Sequence, residues 1–365
     1  MGVKLQDLVI RNEIGFSKLA GKIIAVDAPN IIMRLFNFAR KNPDGSAAGF
    51  ILDRTQRPIS HLYGLLYRTN FFYSKKIFPI FCFDGLDSDL KKLKTKDRLN
   101  DFLFTEKLYQ TLLQSGNKEN ARQIAMSREY MWPNIIKESK QLLGALGVPY
   151  VNSPASAESQ CAQLVKDKLA HFSNSQDFDS LLFGCPKTLQ NFSKSRKRKV
   201  HGRWTYQKIT PVTIVLKDNL KRLGIDQFQL VDMAILIGND YFQGVKKIGP
   251  KHAYSFLLKH KNLEKVIQEE QTNYDFSSLT PDIISKVRKI FLLPEVVRHS
   301  QDIRWNYPNE QKTLSLLCED HHLNKERVQT NYEKFSTNFE KCRTYFEAHE
   351  NSRRTVQNTL DQVIS

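Results

Sequence analysis

Short apolar runs alternate with helical periodicity in the first half of the chain. Lys22–Asp27 and Phe78–Asp84 are apolar over most of their length, and each ends in an aspartate. Such runs are typical of parallel strands that are buried on both faces. Ser60–Tyr73 places aromatic and aliphatic residues at helical spacing, and Val148–Val151 predicts a third strand. The pattern therefore predicts an α/β fold with a central, mostly parallel sheet flanked by helices.

The pattern becomes mainly helical in the second half. Helices are predicted over Pro154–Leu169, over Phe228–Asn239 and from Pro250 onward. The last stretch, Asn351–Ser365, lacks the density of apolar residues that a core needs, so we expect a mobile tail.

The amino-acid composition limits the classes of binding partner that this protein could have. The chain has 365 residues, and 55 Lys and Arg against 38 Asp and Glu give a net charge of +17. With 41% hydrophobic residues the chain can build a core, which excludes global disorder. No apolar run approaches the roughly 18–20 residues of a membrane span, and we expect an intracellular protein. The charge favours nucleic acid as partner over an anionic membrane surface, because no exposed apolar face accompanies it.

A dense basic segment interrupts the predicted α/β core. It is followed by amphipathic helical sequence, so we predict a basic helical excursion over about residues 91–135. A solvated surface hairpin is the alternative, but the density of same-sign charge favours contact with phosphate. A second basic run, Ser195–Val200, is interpreted either as a hairpin tip or as a localisation-like patch. The basic residues of the first segment are Lys91, Lys92, Lys94, Lys96 and Arg98.

Carboxylates at strand ends and helix starts form the candidate chemical site. Ligands of open α/β sheets bind at the carboxyl ends of strands, so we expect these side chains to converge; the alternative is that each aspartate only caps the next helix. Converging carboxylates need counter-charge, and an all-oxygen site suits Mg²⁺ or Mn²⁺. Two such ions support phosphodiester hydrolysis, and local negative charge within a basic protein is what a nuclease requires. The candidates are Asp27, Asp84, Glu158, Asp177, Asp179 and Asp240.

The segment Gly244–Lys251 (GVKKIGPK) is the candidate duplex-binding element. It predicts a helix–turn–helix variant whose glycines let backbone N–H groups approach phosphate, with a helix starting at Pro250. A simple helix–helix connection is the alternative, and the paired glycines with three lysines favour binding. The predicted DNA-binding residues are Lys246, Lys247, Gly249 and Lys251.

In their order, these motifs resemble those of the structure-specific 5′-nucleases, and within them the archaeal and eukaryotic flap endonucleases of the XPG-like family. The resemblance runs almost from end to end. It implies a PIN-like 5′-nuclease domain over residues 1–345, with an N-terminal part (1–100), a helical arch (about 91–135), an internal part (about 136–260), a C-terminal helical part (about 261–345) and a flexible tail (346–365). The motifs that carry it are GKIIAVDA from Gly21, SHLYGLLYRT from Ser60, Phe83–Gly85, SQDFDSLLFG from Ser175, IGNDY from Ile237 and IGPK from Ile248.

The resemblance implies two-metal hydrolysis of branched DNA. A 5′ flap would be removed endonucleolytically, with 5′–3′ exonuclease activity, in Okazaki fragment maturation and repair. It implies that Lys91 and Arg98 are catalytic gateway residues that grip the scissile phosphate. It also implies a monovalent cation at the helix–turn–helix and a monomer, located in the nucleus of a eukaryote or the cytoplasm and nucleoid of an archaeon. Among the six acids, it assigns Asp84 and Glu158 to the ion that activates water, with Asp27 acting through water, and Asp177 and Asp179 to the second ion, with Asp240 in support.

Three departures from the family pattern stand out. Ser156 occupies the position of a family glutamate, Met33 that of a tyrosine that stacks on a base, and Asp87-Ser88 that of two prolines. The first removes a carboxylate from the predicted metal site. It therefore supports a rival interpretation, in which the chain is a DNA-junction-binding paralogue with weakened catalysis.

The C-terminal tail resembles the family's sliding-clamp motif, Gln-x-x-aliphatic-x-x-aromatic-aromatic. Gln357 and Leu360 fit this pattern, whereas Val363 and Ile364 stand where the motif has aromatic residues. Aromatic anchors carry much of the affinity of such contacts. We therefore expect a sliding clamp to bind this tail, more weakly than it binds a motif with two aromatics.

Overall fold

The computed structural model describes residues 2–36, 51–55, 57–85, 103–125, 127–192, 195–200, 203–298 and 303–364. The strands are β1 (Asn12–Glu13), β2 (Lys22–Asp27), β3 (Ile77–Phe83), β4 (Tyr150–Asn152), β5 (Phe172–Asn174), β6 (Lys187–Gln190), β7 (Ser195–Val200), β8 (Arg203–Lys208) and β9 (Val212–Val215). The helices are α1 (Phe16–Leu19), α2 (Ala28–Phe36), α3 (Ser60–Ser74), α4 (103–114), α5 (Lys118–Ala125), α6 (Arg128–Ala145), α7 (Ala157–Lys166), α8 (Asp179–Leu182), α9 (Leu216–Leu223), α10 (Gln227–Ile237), α11 (Pro250–His260), α12 (Leu263–Glu270), α13 (Pro281–Leu292), α14 (Glu310–Leu314) and α15 (Lys325–Ile364), with a π-helical turn over Ser315–Asp320.

A mixed sheet organises the fold. Within the described ranges it has seven strands in the order β1-β9-β6-β5-β2-β3-β4. The five strands from β6 to β4 run parallel, and β9 and β1 continue one edge antiparallel. The predicted α/β fold with a mostly parallel sheet is confirmed.

The central strands are buried on both faces, which explains their continuous apolar runs. Ile24 and Val26 of β2 pack with α2, α3, α6 and α15 on one face, whereas Ala25 faces the core of α7, α10, α11 and α13 on the other. β3 is buried along its whole length. Because successive side chains of a strand point to opposite faces, one short apolar run supplies both cores.

Sequence periodicity did not reveal β5, β6 and β9. They have three or four residues each, which is too short for a periodic pattern to register. The basic run Ser195–Val200 pairs antiparallel with Arg203–Lys208, so its backbone is one strand of a hairpin and not the hairpin tip.

The described part of the predicted arch is helical. α4 and α5 meet the start of α6 in a small cluster of their own, in which the rings of Tyr109 and Tyr130 lie 4.8 Å apart. α6 begins at Arg128 with Ser127 as its N-cap and contains Pro133. α6 tolerates this residue because a proline close to a helix start loses few backbone hydrogen bonds. Lys91 and Arg98 lie outside the described residues.

A buried charged network joins the segment before α3, α6 and the turn before α15. Asp53 contacts Arg57 and His321 at 3.0 Å, and Glu138 contacts His61 at 3.0 Å and His321 at 3.4 Å. Burial alone would raise the pKa of Glu138, but hydrogen bonds with His321 and His61 bring it down to about 2. The same contacts with Asp53 and Glu138 outweigh burial and raise the pKa of His321. The network thus fixes three distant segments by paired charges.

The C-terminal helix α15 packs along the core helix α3. Phe335 and Phe339 each contact the Tyr73 ring with centroids 5.3 Å apart. The helical backbone continues to Ile364. The predicted clamp residues fall on it, but their side chains lie outside the described part: Gln357, Leu360, Val363 and Ile364. Across the described ranges, the structure contains no helix with the length and apolarity of a membrane span.

Gly147 offers a test of how tightly α6 is tied to the chain that leads to α14. Its φ is +68°, and an added Cβ would lie 2.1 Å from the Asn306 carbonyl oxygen. Gly147→Ala should therefore lower the free energy of unfolding by about 2 kcal/mol or more in urea titrations. The control is Gly224→Ala, at φ +65° with nothing within 4 Å of the added Cβ. It should lose only about 1 kcal/mol, and equal losses would contradict the packing explanation.

Candidate active site: an acidic cavity at the carboxyl edge of the sheet

Carboxylates converge at one edge of the sheet. They line a cavity of about 400 Å³ together with residues of α2, α7 and the turn after α10. The predicted convergence is therefore confirmed by geometry. The six acids in its wall are Asp27, Asp84, Glu158, Asp177, Asp179 and Asp240.

The parallel strand order explains why these distant residues meet. β5, β2, β3 and β4 are neighbours, so their carboxyl ends lie side by side. Asp27 is the last residue of β2, and Asp84 directly follows β3. Glu158 lies in the first turn of α7, the helix after β4, and Asp179 begins α8 after β5.

The Asp84 carboxylate is held by the N-terminus of α7. The Ala157 N–H donates to Asp84 Oδ1 at 2.8 Å, and the helix dipole favours negative charge at this end. The next residue, Gly85, donates its N–H to the Ala155 carbonyl at 2.8 Å. An added Cβ at Gly85 would lie 1.8 Å from the Ser153 carbonyl oxygen, so only glycine allows the strand end to approach α7 this closely.

Neutral polar groups position two further carboxylates. Ser175 Oγ donates to Glu158 Oε1 at 2.5 Å, and Asn30 Nδ2 donates to Asp177 Oδ2 at 3.2 Å. Sequence reasoning missed both partners. Asn30 had a usable signal, because it lies in the first turn of the helix that directly follows Asp27.

The N-terminal segment also reaches the site, which sequence reasoning missed. The Val3 N–H donates to Asp179 Oδ1 at 2.7 Å. An added Cβ at Gly2 would lie 2.8 Å from Asp177 Cβ and 3.0 Å from Asp179 Oδ1. No periodic pattern predicts a contact between residues 176 positions apart.

Burial, with the crowding of like charges as a further cause, raises the pKa values of acids in this cavity. Burial, followed by the charges of Asp84 and Asp177, raises the pKa of Asp27 to about 7. Burial is also the main reason that the pKa of Glu158 is well above its usual value, with Asp27 and Asp179 adding to it. Burial likewise raises the pKa of Asp179 to about 6, against the Val3 hydrogen bond. The cavity therefore holds more negative charge than its protein surroundings neutralise.

This donor set fits a hard divalent cation. All six acids offer carboxylate oxygens, which suit Mg²⁺ and Mn²⁺. Within the described ranges, no three His, Cys, Asp or Glu side chains are grouped closely enough to hold one metal ion between them.

Ser156 lines the cavity and starts α7. Its side chain accepts a hydrogen bond from the Ser159 N–H at 3.1 Å, which makes it the N-cap of the helix. The residue is therefore a structural element as well as a missing carboxylate.

The predicted duplex-binding turn lies between α10 and α11. Lys246, Lys247 and Lys251 are exposed, and Gly249 precedes α11 without a side-chain cap. Gly244 has φ +83°, and an added Cβ would lie 2.5 Å from the Ile237 carbonyl oxygen. The turn therefore presents free helix N-terminal N–H groups beside three cations.

Comparison with known proteins places this geometry in a family. The XPG N-terminal domain matches residues 1–101, and the XPG I-region matches residues 147–240. Flap endonuclease 1 of Archaeoglobus fulgidus is 34% identical over 329 residues, which cover 90% of this chain and 94% of that protein. The chain belongs to the flap endonuclease family.

Solved structures agree on the fold of this flap endonuclease family member. The flap endonuclease-1 structure from Methanococcus jannaschii has a TM-score of 0.70 at 24% identity, covering 93% of this chain and 99% of that one. The catalytic core of Rad2 in complex with DNA substrate has a TM-score of 0.61 at 22% identity, covering 88% and 94%. The PIN-like nuclease fold predicted from the motifs is thus confirmed.

The raised pKa values predict how metal and pH act on stability. Without divalent ions, stability should fall as pH rises from about 5 to 8, because Asp179 and Asp27, with folded-state pKa values of about 6 and about 7, must ionise against their neighbours. Mg²⁺ should therefore raise the thermal midpoint more at pH 8 than at pH 5. Differential scanning calorimetry with and without Mg²⁺ checks this. Asp27→Asn should flatten the metal-free profile, and an equal Mg²⁺ effect at both pH values would contradict the account.

Proposed function

We propose that this flap endonuclease family member is a metal-dependent structure-specific nuclease that removes 5′ flaps from branched DNA in replication and repair. One observation carries the proposal: six carboxylates from separate chain segments line one cavity in a protein of net charge +17. The name of the Archaeoglobus fulgidus relative and the DNA substrate in the Rad2 complex support the same substrate class.

We assign the cavity acids, by the strands and helices that carry them, to two groups that would each hold one ion. Asp84 and Glu158 lie on the β3–α7 side, with Asp27 between the groups, while Asp177 and Asp179 follow β5. Bound Mg²⁺ or Mn²⁺ would supply an activated water and neutralise charge on the leaving oxygen. Asp240, in the turn after α10, would support the second group from outside.

Basic side chains of the protein would bind the DNA phosphates. Lys91 and Arg98 of the arch segment are proposed to stabilise charge on the scissile phosphate. Lys246, Lys247 and Lys251, with Gly249, are proposed to hold the duplex backbone, with a monovalent cation at the turn. These roles separate catalysis from affinity, because only the first pair contacts the reacting group.

The rival function is junction binding with weakened catalysis, and Ser156 is its support. The geometry favours cleavage, because the remaining acids are actively held in the cavity. Asp84 is bound by an α7 N–H, Glu158 by Ser175 and Asp179 by Val3. A site that only binds DNA has no need to hold mutually repelling carboxylates together.

Sliding-clamp binding through the C-terminal segment belongs to the same proposal. Gln357 and Leu360 would supply the polar and aliphatic contacts, and Val363 and Ile364 weaker apolar anchors. Localisation within the cell and the monomeric state stay predictions from the sequence.

Cleavage of an end-labelled 5′-flap duplex tests the function. We expect product with Mg²⁺ or Mn²⁺ and none in EDTA. Asp179→Asn removes one charge while an amide oxygen can still accept from Val3, so the single-turnover rate should fall by on the order of a hundredfold with DNA binding retained. The control is Asp167→Asn, an exposed acid at the far end of α7. Binding without metal-dependent cleavage by the unaltered chain would favour the rival function.

Ser156→Asp tests the missing carboxylate without disturbing the helix. Aspartate is as good an N-cap as serine, so α7 should keep its capping bond while the cavity gains a charge. The half-saturating Mg²⁺ concentration for cleavage should fall several-fold. Ser156→Ala removes the cap without adding charge and should lower stability by about 1 kcal/mol, leaving the Mg²⁺ requirement unchanged. An unchanged or higher Mg²⁺ requirement in Ser156→Asp would count against a metal role at this position.

A further inference from the structure

One cation stands in the wall of the acidic cavity. Among the described residues that line it, Arg34 is the single basic side chain. It lies in the last turn of α2, and Asn30, one turn earlier, already contacts Asp177 across the cavity. Asn30 and Arg34 are four residues apart, so they share the face of α2 that borders the acids.

Arg34 is close to the carboxylates without being paired to them. It acts electrostatically on Asp27 and Asp177, yet in the part of the chain that the structure describes no carboxylate lies within the 4.0 Å of an ion pair with it. Its side chain is exposed to solvent. Its guanidinium donors therefore stay available to a ligand that enters the cavity.

Electrostatics argue against a role of Arg34 in metal binding alone. A cation beside the acids opposes the binding of divalent ions and so works against the metal site. A guanidinium does suit an anion, because its planar fork binds two phosphate oxygens at once. A phosphate group approaching the acids from solvent would meet Arg34 at the rim.

We propose that Arg34 binds a phosphate group of the DNA substrate at the rim of the acidic cavity. This inference rests on the proposed function and adds to it a contact made by the nuclease core itself, separate from the arch and from the turn after α10. Arg34 thereby positions the substrate backbone against the carboxylates.

Three variants test this contact. Arg34→Gln removes the charge, and Arg34→Lys keeps the charge but loses the planar fork. Lys217→Gln is the matched control, because it removes an exposed cation far from the acidic cavity. Lys217 lies just after β9, whose last residue, Val215, pairs with the first residue of β6. This end of β6 is at the edge of the sheet opposite to the cavity. The unaltered chain and each variant are assayed for single-turnover cleavage of the 5′-flap duplex over a Mg²⁺ series that reaches saturation. Binding is measured over a salt series in EDTA, in which no cleavage is expected.

The phosphate contact predicts a joint effect on rate and salt dependence. Arg34→Gln should slow cleavage by about tenfold or more, as expected for loss of a charge-assisted hydrogen bond. The slope of log affinity against log salt should become shallower by about 0.7–0.9, the value for one lost phosphate contact. Arg34→Lys should restore the slope and only part of the rate, and Lys217→Gln should match the unaltered chain.

Two results would overturn the inference. In the first, Arg34→Gln behaves like Lys217→Gln in both assays. In the second, Arg34→Gln lowers the half-saturating Mg²⁺ concentration but leaves the cleavage rate and the salt slope unchanged, which would mean that Arg34 affects metal affinity only. Absence of cleavage by the unaltered chain would instead contradict the proposed function. The salt slope would still report on Arg34 in that case, so the two failures are distinguishable.

Discussion

Repulsion between carboxylates is the constraint on which the structure of this site depends. Asp27, Glu158 and Asp179 all have raised pKa values because they are buried near other acids. Folding would ordinarily separate or protonate such groups. They stay together because the carboxyl ends of neighbouring parallel strands meet at one edge, and the apolar cores on both faces of the sheet hold that edge in place.

Groups around the site reduce this repulsion between the carboxylates, and the overall charge of the protein complements it. Backbone N–H groups of Ala157 and Val3 donate to Asp84 and Asp179, so backbone dipoles help to hold these two acids. These groups leave carboxylate oxygens for metal. At +17 the protein as a whole attracts the polyanion that the cavity itself would repel. In the proposed function, bound metal ions would attract the DNA phosphate into the cavity, and in our inference Arg34 would bind a phosphate at its rim.

The sequence pattern predicted those site residues that directly end or follow a long strand. Asp27 and Asp84 end long buried strands, so strand pattern and strand-end chemistry pointed to both. β5 is too short to show a pattern, so Asp177 and Asp179 were candidate acids without a predicted strand before them, and the motif resemblance assigned both to the second ion. The Val3 contact joins residues 176 positions apart in the chain, and only the assembled fold brings them together. Arg34 had a local signal, being two helical turns from Asp27, but nothing in the sequence distinguished it from an ordinary surface cation.

The central claim is that these acids hold two divalent ions at one edge of the sheet. Anomalous diffraction from crystals soaked in Mn²⁺ with product DNA measures this most directly. The account predicts two manganese peaks inside the acidic cavity, about 3.5–4 Å apart, one beside Asp84 and Glu158 and the other beside Asp177 and Asp179. Manganese bound only outside the cavity, or no manganese peak in a crystal that holds product DNA, would contradict it.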